Sequence, residues 1–278
     1  MCRPCYALLH ALCPAVKLVI CLSAQLGGMM ALMGDTNEGP KVGLVLSGGG
    51  ARGAYEVGVL TWIADYAPKL LAQVRVVTGA SVGAVNGSYL ASRGLTPSAA
   101  HALMQVWRGL DVDRVLRFSS RHALSMLWST GSGWFGKAQS RPMGFFEGSA
   151  LSALIRQEIR WGGIGRQIAN GRMDGVAVAT TEIGSGRTHL FVEHSPLLEH
   201  PRWPHDPSLV AKSGPLRPEH VIASTAIPLV FAPVQIDQHW YTDGGIRQNT
   251  PISPALRLGA ERLLVLSSAG PHQAQESP

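Results

Sequence analysis

Twice within about fifty residues, an apolar run breaks at a glycine-rich turn and gives way to helical spacing. Val42–Ser47 (VGLVLS) leads into Gly48–Gly53 (GGGARG) and then Ala54–Tyr66, where Val57, Leu60 and Ile63 recur at helical intervals. Val74–Thr78 (VRVVT) leads into Gly79–Gly83 (GASVG) and then Ala84–Ser92. Short apolar runs bounded by glycine read as buried strands. Two strands joined through a helix run parallel with a right-handed crossover. The chain therefore opens its folded body as a βαβ unit, which predicts an α/β domain with helices on both faces of a mostly parallel sheet.

The rest of the chain extends that pattern. Thr96–Gly109 reads as a helix with Thr96 as N-cap and Pro97 at its first position. Ala150–Ile159, Pro218–Thr225 and Pro251–Leu258 read as helices, and Gly175–Thr181 and Arg262–Ser267 as buried strands. Arg187–Glu193 forms a hairpin with the strand before it, and Val234–Asp237 with His239–Thr242 a smaller one. Ser195–Pro218 holds six prolines and reads as a long surface loop. At 278 residues, without repeat or linker, one domain suffices.

Residues 1–34 differ from this body. Their only full charges are Arg3 and Lys17, and Leu18–Gly34 carries none. That run sits at the lower limit for a spanning helix and contains Ser23, Gln25, Gly27 and Gly28. Three readings stay open: a disordered leader or chain start placed too far upstream, a membrane anchor, and a secretion signal. Each puts the folded domain at 41–270, after a leader of 1–40 and before a frayed tail of 271–278. All four cysteines, Cys2, Cys5, Cys13 and Cys21, fall in the leader, so no disulfide framework holds the body. Cys2 and Cys5 form a lone C-x-x-C with no second pair at zinc spacing, and no metal site is expected. The net charge of +6 comes without a basic run or recognition motif, which argues against nucleic acid.

Three short motifs carry candidate chemistry. Ser81 centres G-x-S-x-G (Gly79, Ser81, Gly83) at a strand-to-helix turn, where a nucleophile is exposed and the helix N-terminus favours negative charge. Gly48, Gly50 and Gly53 satisfy G-x-G-x-x-G, but the second strand ends without the acidic residue that would hold a ribose. The glycines are equally suited to presenting backbone N–H groups to an oxyanion. Asp243 opens Asp243–Gly244–Gly245 after a strand, which alone reads as a turn with a solvated carboxylate. The histidines after Ser81 fall in loops, helices, hairpin strands or the tail, and none sits on a short loop after a late buried strand, as a triad would require.

Taken together and in this order, Gly48–Gly53, Gly79–Gly83 and Asp243–Gly245 resemble the patatin-like phospholipases. Thr180–Gly186, Ala223–Val234 (ASTAIPLVFAPV), Asn249 and Pro251 add to the likeness, which spans roughly residues 42–267. The resemblance implies a single three-layer α/β domain and a serine lipid acyl hydrolase working through an acyl-enzyme on a Ser–Asp dyad. Ser81 would be the nucleophile and Asp243 its base. Gly49 and Gly50 would hold the oxyanion, with Gly48 turning the loop and Arg52 supporting it or meeting a substrate phosphate. No cofactor is implied. The implied partner is a lipid ester of a phospholipid or lysophospholipid, met in the cytoplasm or peripherally at a membrane. Trp128, Trp134, Phe135, Met143, Phe145 and Phe146 divide between core packing and an apolar lid. A soluble carboxylesterase or thioesterase, and an inactive scaffold of the same fold, remain the alternatives.

Overall fold

The computed structural model describes residues 19–22, 40–110, 148–198, 203 and 207–267. Among the described residues, nine strands form one sheet: β1 (Val19–Leu22), β2 (Val42–Leu46), β3 (Val74–Ala80), β4 (Gly175–Glu182), β5 (Thr188–His194), β6 (Leu209–Ser213), β7 (Val234–Ile236), β8 (His239–Asp243) and β9 (Arg262–Leu266). The order is β1-β9-β2-β3-β4-β5-β6, with the β7–β8 hairpin joined to β4. The central strands β9, β2, β3 and β4 are mutually parallel. Among the described residues, antiparallel pairing is confined to β1 on β9, β5 on β4 and the hairpin with its join to β4.

The helices are α1 (Gly53–Tyr66), α2 (Pro68–Ala72), α3 (Val82–Arg93), α4 (Pro97–Arg108), α5 (Ser149–Glu158), α6 (Trp161–Ala169), α7 (Pro218–Ser224), α8 (Gly245–Gln248) and α9 (Ile252–Arg257). The alternation of side chains along the strands separates two cores. Leu44, Leu46, Val77, Val176, Val178, Leu264 and Leu266 face one side, packed with Val57 and Leu60 of α1, Leu90 of α3, Leu103 of α4 and Val221 of α7. Val45, Val76, Ala80, Ala177, Ala179, Leu263 and Val265 face the other, packed with Ala255 of α9 and Leu258 just beyond it. Helices therefore cover both faces, as the βαβ pattern requires. At α4 the expected cap is present: the Ala99 amide donates to Thr96 Oγ1 at 3.2 Å, with Pro97 in the first turn.

Several elements depart from the sequence reading. The Pro-rich stretch Ser195–Pro218 is not all loop: Leu209–Ser213 pairs in parallel with β5 as an edge strand. Trp161–Ala169 is a helix that its three glycines concealed. Asp243 is not the start of a solvated turn but the last residue of a strand, and buried. Within the segment read as a leader, Val19–Leu22 pairs antiparallel with β9 through Val19↔Val265 and Leu22↔Arg262. The aromatic residues between Trp128 and Phe146, and the tail from Pro271, lie outside the described residues.

Candidate active site

The site is built by one strand edge shared between two partners. Along that edge β3 pairs with β4 up to Ala80↔Ala179. At the next β4 residue a different strand takes over, with Asp243 of β8 opposite Thr180. Ser81 follows Ala80 directly, so two residues 162 positions apart in the chain meet where β3 stops and β8 arrives. The Ser81 hydroxyl donates to Asp243 Oδ2 at 2.6 Å, and both residues are 5% exposed.

Ser81 is held in a backbone conformation few L-residues adopt, φ 53° and ψ −126°. Such a conformation costs on the order of 1–3 kcal/mol and persists only where its surroundings enforce it. Here its amide donates to Ser224 Oγ at 2.9 Å, and Ser224 Oγ in turn donates to the Ala179 carbonyl at 2.6 Å. Ser224, at the end of α7, thus ties the elbow to β4. The flanking glycines are steric necessities: a Cβ on Gly83 would lie 2.4 Å from the Leu46 carbonyl oxygen, and one on Gly244 2.0 Å from that of Ala179.

Asp243 is fixed from every side. Its amide donates to Ala226 O at 3.0 Å, its carbonyl accepts from Thr181 Oγ1 at 2.9 Å, and its Oδ1 accepts from the Gly245 amide at 2.6 Å. Burial pushes its carboxyl above the ordinary aspartate value, against the opposing pull of the Ser81 and Gly245 hydrogen bonds.

Above this pair lies an open cleft of about 390 Å³, lined by Gly48, Gly49, Gly50, Arg52, Ile227 and Ile246 among others. The Gly48 amide is already committed to the Asn249 carbonyl at 2.9 Å, and the Gly49 carbonyl accepts from the Arg52 amide at 3.1 Å. The amides of Gly49 and Gly50 donate to no acceptor among the described residues. Arg52 is exposed at the rim. No histidine lines the cleft among the described residues. His189 is buried against Tyr241, and His220 stacks on Phe191; burial holds both rings well below the usual histidine value, at about 4. His122, His200, His205 and His272 lie outside the described residues.

Sequence reasoning passed over one group behind the glycine loop. Glu56 of α1 is fully buried, and Asn86 of α3 donates to its Oε2 at 3.1 Å. Asn86 Nδ2 also reaches the Gly53 carbonyl at 3.2 Å, and Trp107 Nε1 of α4 donates to Asn86 Oδ1 at 2.9 Å. This brace joins the first turns of the two helices that follow the glycine loop and the Ser81 elbow. Burial pushes the Glu56 carboxyl up to about 8, opposed by Asn86 and Ser47. The signal in the sequence was its position: 56 falls on the apolar stripe with Gly53, Val57 and Leu60.

The fold and the motif order agree with a sequence comparison. Residues 44–256 match the model of the family described as patatin-like phospholipase, and the chain belongs to that family. Among solved structures, VipD from Legionella pneumophila is similar at 15% identity, covering 76% of this chain and 47% of its own, with a TM-score of 0.45. Full-length ExoU in complex with SpcU, from the type III secretion system of Pseudomonas aeruginosa, is similar at 21% identity over 56% of this chain and 35% of its own, with a TM-score of 0.34. The chain thus spans less than half the length of either structure. No curated protein sequence matches it. No helix among the described residues is long and apolar enough to cross a membrane.

Proposed function

We propose that this protein is a serine lipid acyl hydrolase that cleaves carboxylic esters of phospholipids or lysophospholipids through an acyl-enzyme on a Ser81–Asp243 dyad. The observation that carries the reading is the 2.6 Å hydrogen bond from Ser81 Oγ to Asp243 Oδ2 at the floor of the cleft, with no histidine lining it among the described residues.

A serine hydroxyl is a poor nucleophile until a base takes its proton. As Ser81 Oγ attacks the ester carbonyl, its proton passes to Asp243 Oδ2. The carbonyl oxygen gains a negative charge beside the Gly49 and Gly50 amides, whose stabilisation of that charge lowers the barrier. Asp243 then gives the proton to the departing alcohol oxygen, and the C–O bond breaks to leave the acyl group on Ser81. Water completes the cycle: Asp243 takes its proton as the oxygen attacks the acyl carbonyl, the bond from the acyl carbon to Ser81 Oγ breaks to release the carboxylic acid, and Asp243 returns the proton to Ser81 Oγ. Aspartate is a weaker base than imidazole, and burial narrows that gap by raising its affinity for the proton. Gly245 holds the other carboxylate oxygen, so Oδ2 keeps its aim at Ser81.

A series of p-nitrophenyl esters of rising chain length, followed by phospholipid vesicles, tests the reading. Turnover that rises with chain length and extends to vesicles, and that Ser81→Ala abolishes, is the expected result. Turnover confined to short soluble esters would leave a carboxylesterase or thioesterase. No turnover of any ester by pure protein would leave a scaffold.

A further inference from the structure

The rim of the cleft is more apolar than its chemistry needs. Of the eight large apolar side chains exposed among the described residues, five fall in the segments 227–229 and 246–256, both of which begin at the cleft. Leu229 is 72% exposed and Ile246 53%. Clusters of this kind on a soluble surface mark a binding face.

Leu229 carries a second anomaly. Its φ is 67°, in the left-handed region that leucine rarely adopts. The turn that imposes it is tightly held. The amides of Val230 and Phe231 both donate to the Ile227 carbonyl, at 3.1 and 2.9 Å, and the Phe231 ring is buried beneath. The carbonyl of Ala226, one residue before the turn, accepts from the Asp243 amide and from Thr242 Oγ1. The chain therefore accepts backbone strain to hold a leucine out into water, on a turn anchored to the catalytic strand.

In the described segments that form the rim, the charged side chains are arginines. The segments 47–55, 226–233 and 244–258, which form the glycine loop, the Leu229 turn and the α8–α9 region, contain Arg52, Arg247 and Arg257 and no aspartate or glutamate. Arg52 and Arg247 are exposed. Apolar side chains projecting among arginines fit an anionic lipid surface, which accepts the first in its acyl boundary and the second at its headgroups.

We infer that the Leu229 turn and Ile246, flanked by Arg52 and Arg247, are the face by which the protein docks onto an anionic phospholipid surface, with the mouth of the cleft against the lipid. The inference rests on the proposed hydrolase reading for its purpose but not for its test. Bilayer contact at this rim would let an acyl ester reach Ser81 without crossing bulk water.

Vesicle co-sedimentation tests it, using vesicles of phosphatidylcholine alone and of phosphatidylcholine with phosphatidylglycerol, on the full chain. The wild type should bind the anionic vesicles more tightly and lose binding in high salt. Leu229→Asn suits the left-handed backbone and removes the apolar group, so its melting temperature should be unchanged or higher. It should weaken vesicle binding by about tenfold, the scale of one buried leucine side chain. Arg247→Gln should weaken binding to anionic vesicles by about fivefold and leave phosphatidylcholine binding unchanged. Turnover of a soluble short-chain ester should be the same in both variants as in the wild type. Binding by Leu229→Asn within twofold of the wild type, or no vesicle binding by the wild type, overturns the inference. A protein that hydrolyses no ester but still loses vesicle binding in Leu229→Asn keeps the docking face and refutes the hydrolase reading instead.

Discussion

Replacing Glu56 with glutamine should stabilise the protein, and the gain should grow with pH. Glu56 has no charged partner among the groups that set its proton affinity: burial dominates, and Asn86 and Ser47 oppose it. Its carboxyl rises from 4.5 to about 8 in the folded protein. A group raised on folding contributes stability that is fully present below its unfolded value and lost as the pH climbs through the folded one. Ionisation first draws on the unfolded state above pH 4.5 and stops adding once Glu56 ionises in the fold near 8. At about 1.4 kcal/mol per pH unit, the whole window is worth about 5 kcal/mol. Glutamine keeps the shape and an acceptor for Asn86 and carries no charge at any pH. Between pH 5 and pH 9 the stability gap in favour of Glu56→Gln should therefore widen by about 4 kcal/mol, or about 10 °C in melting temperature for a chain of this size. Melting curves of both proteins at pH 5, 7 and 9 measure it, and the difference between them cancels every other titrating group. A gap that stays flat across that range would refute a buried, neutral Glu56.

The remaining predictions concern the frame of the site. Gly244→Ala places a Cβ 2.0 Å from the Ala179 carbonyl oxygen, where only backbone movement relieves the clash; it should cost about 3 kcal/mol or more, read as a fall in melting temperature, and abolish turnover. Ser224→Ala leaves the Ser81 amide unpaired at the elbow and should cost about 1–3 kcal/mol of stability, with reduced kcat at nearly unchanged KM. Asp174 is drawn below the usual aspartate value: burial alone would raise it, but Arg75 at 2.9 Å and Lys41 at 3.0 Å overcome that cost. Asp174→Asn should lower the melting temperature at pH 7, and the deficit should close as the pH falls through the wild-type residue's depressed value.

Much of this architecture was legible because local and tertiary signals agreed. The strands at Val42, Val74 and Arg262 are buried along most of their length, so each is dominated by apolar residues, with Arg75 half-buried and Arg262 exposed, and glycine punctuates the turns that follow the first two. The parts that were missed are those in which tertiary contact overrides local composition. Leu209–Ser213 sits between Pro207 and Pro215, and a five-residue edge strand fits between them without losing a ladder hydrogen bond to proline. The helix Trp161–Ala169 carries Gly163 because a Cβ there would lie 2.1 Å from the Ser92 carbonyl oxygen. What weakens the helix by propensity is what lets it approach α3. Asp243 read as a turn because Asp-Gly-Gly is polar and flexible in isolation. Its burial depends on β8 taking over the β4 edge at Thr180, a pairing between distant segments that no local pattern encodes. The brace of Glu56, Asn86 and Trp107 was hidden for the same reason, since its three residues lie on three helices.

The central claim is that Asp243, and no histidine, takes the proton from Ser81. The most direct measurement is kcat/KM on one soluble ester for Asp243→Asn, beside single alanine variants of His194, His200, His205, His220, His239 and His272, with circular dichroism to establish folding. Asparagine keeps the shape of Asp243 and its contacts with Gly245 but is not a base, so Asp243→Asn should lose about 10³-fold or more. It should also melt higher at neutral pH, because the aspartate it replaces is raised by burial and its ionised form costs stability above the unfolded value. Each histidine variant should stay within about tenfold of the wild type, since loss of a true general base costs 10²–10⁴-fold. A folded histidine variant as inactive as Asp243→Asn, or an Asp243→Asn that keeps most of its activity, would contradict the account.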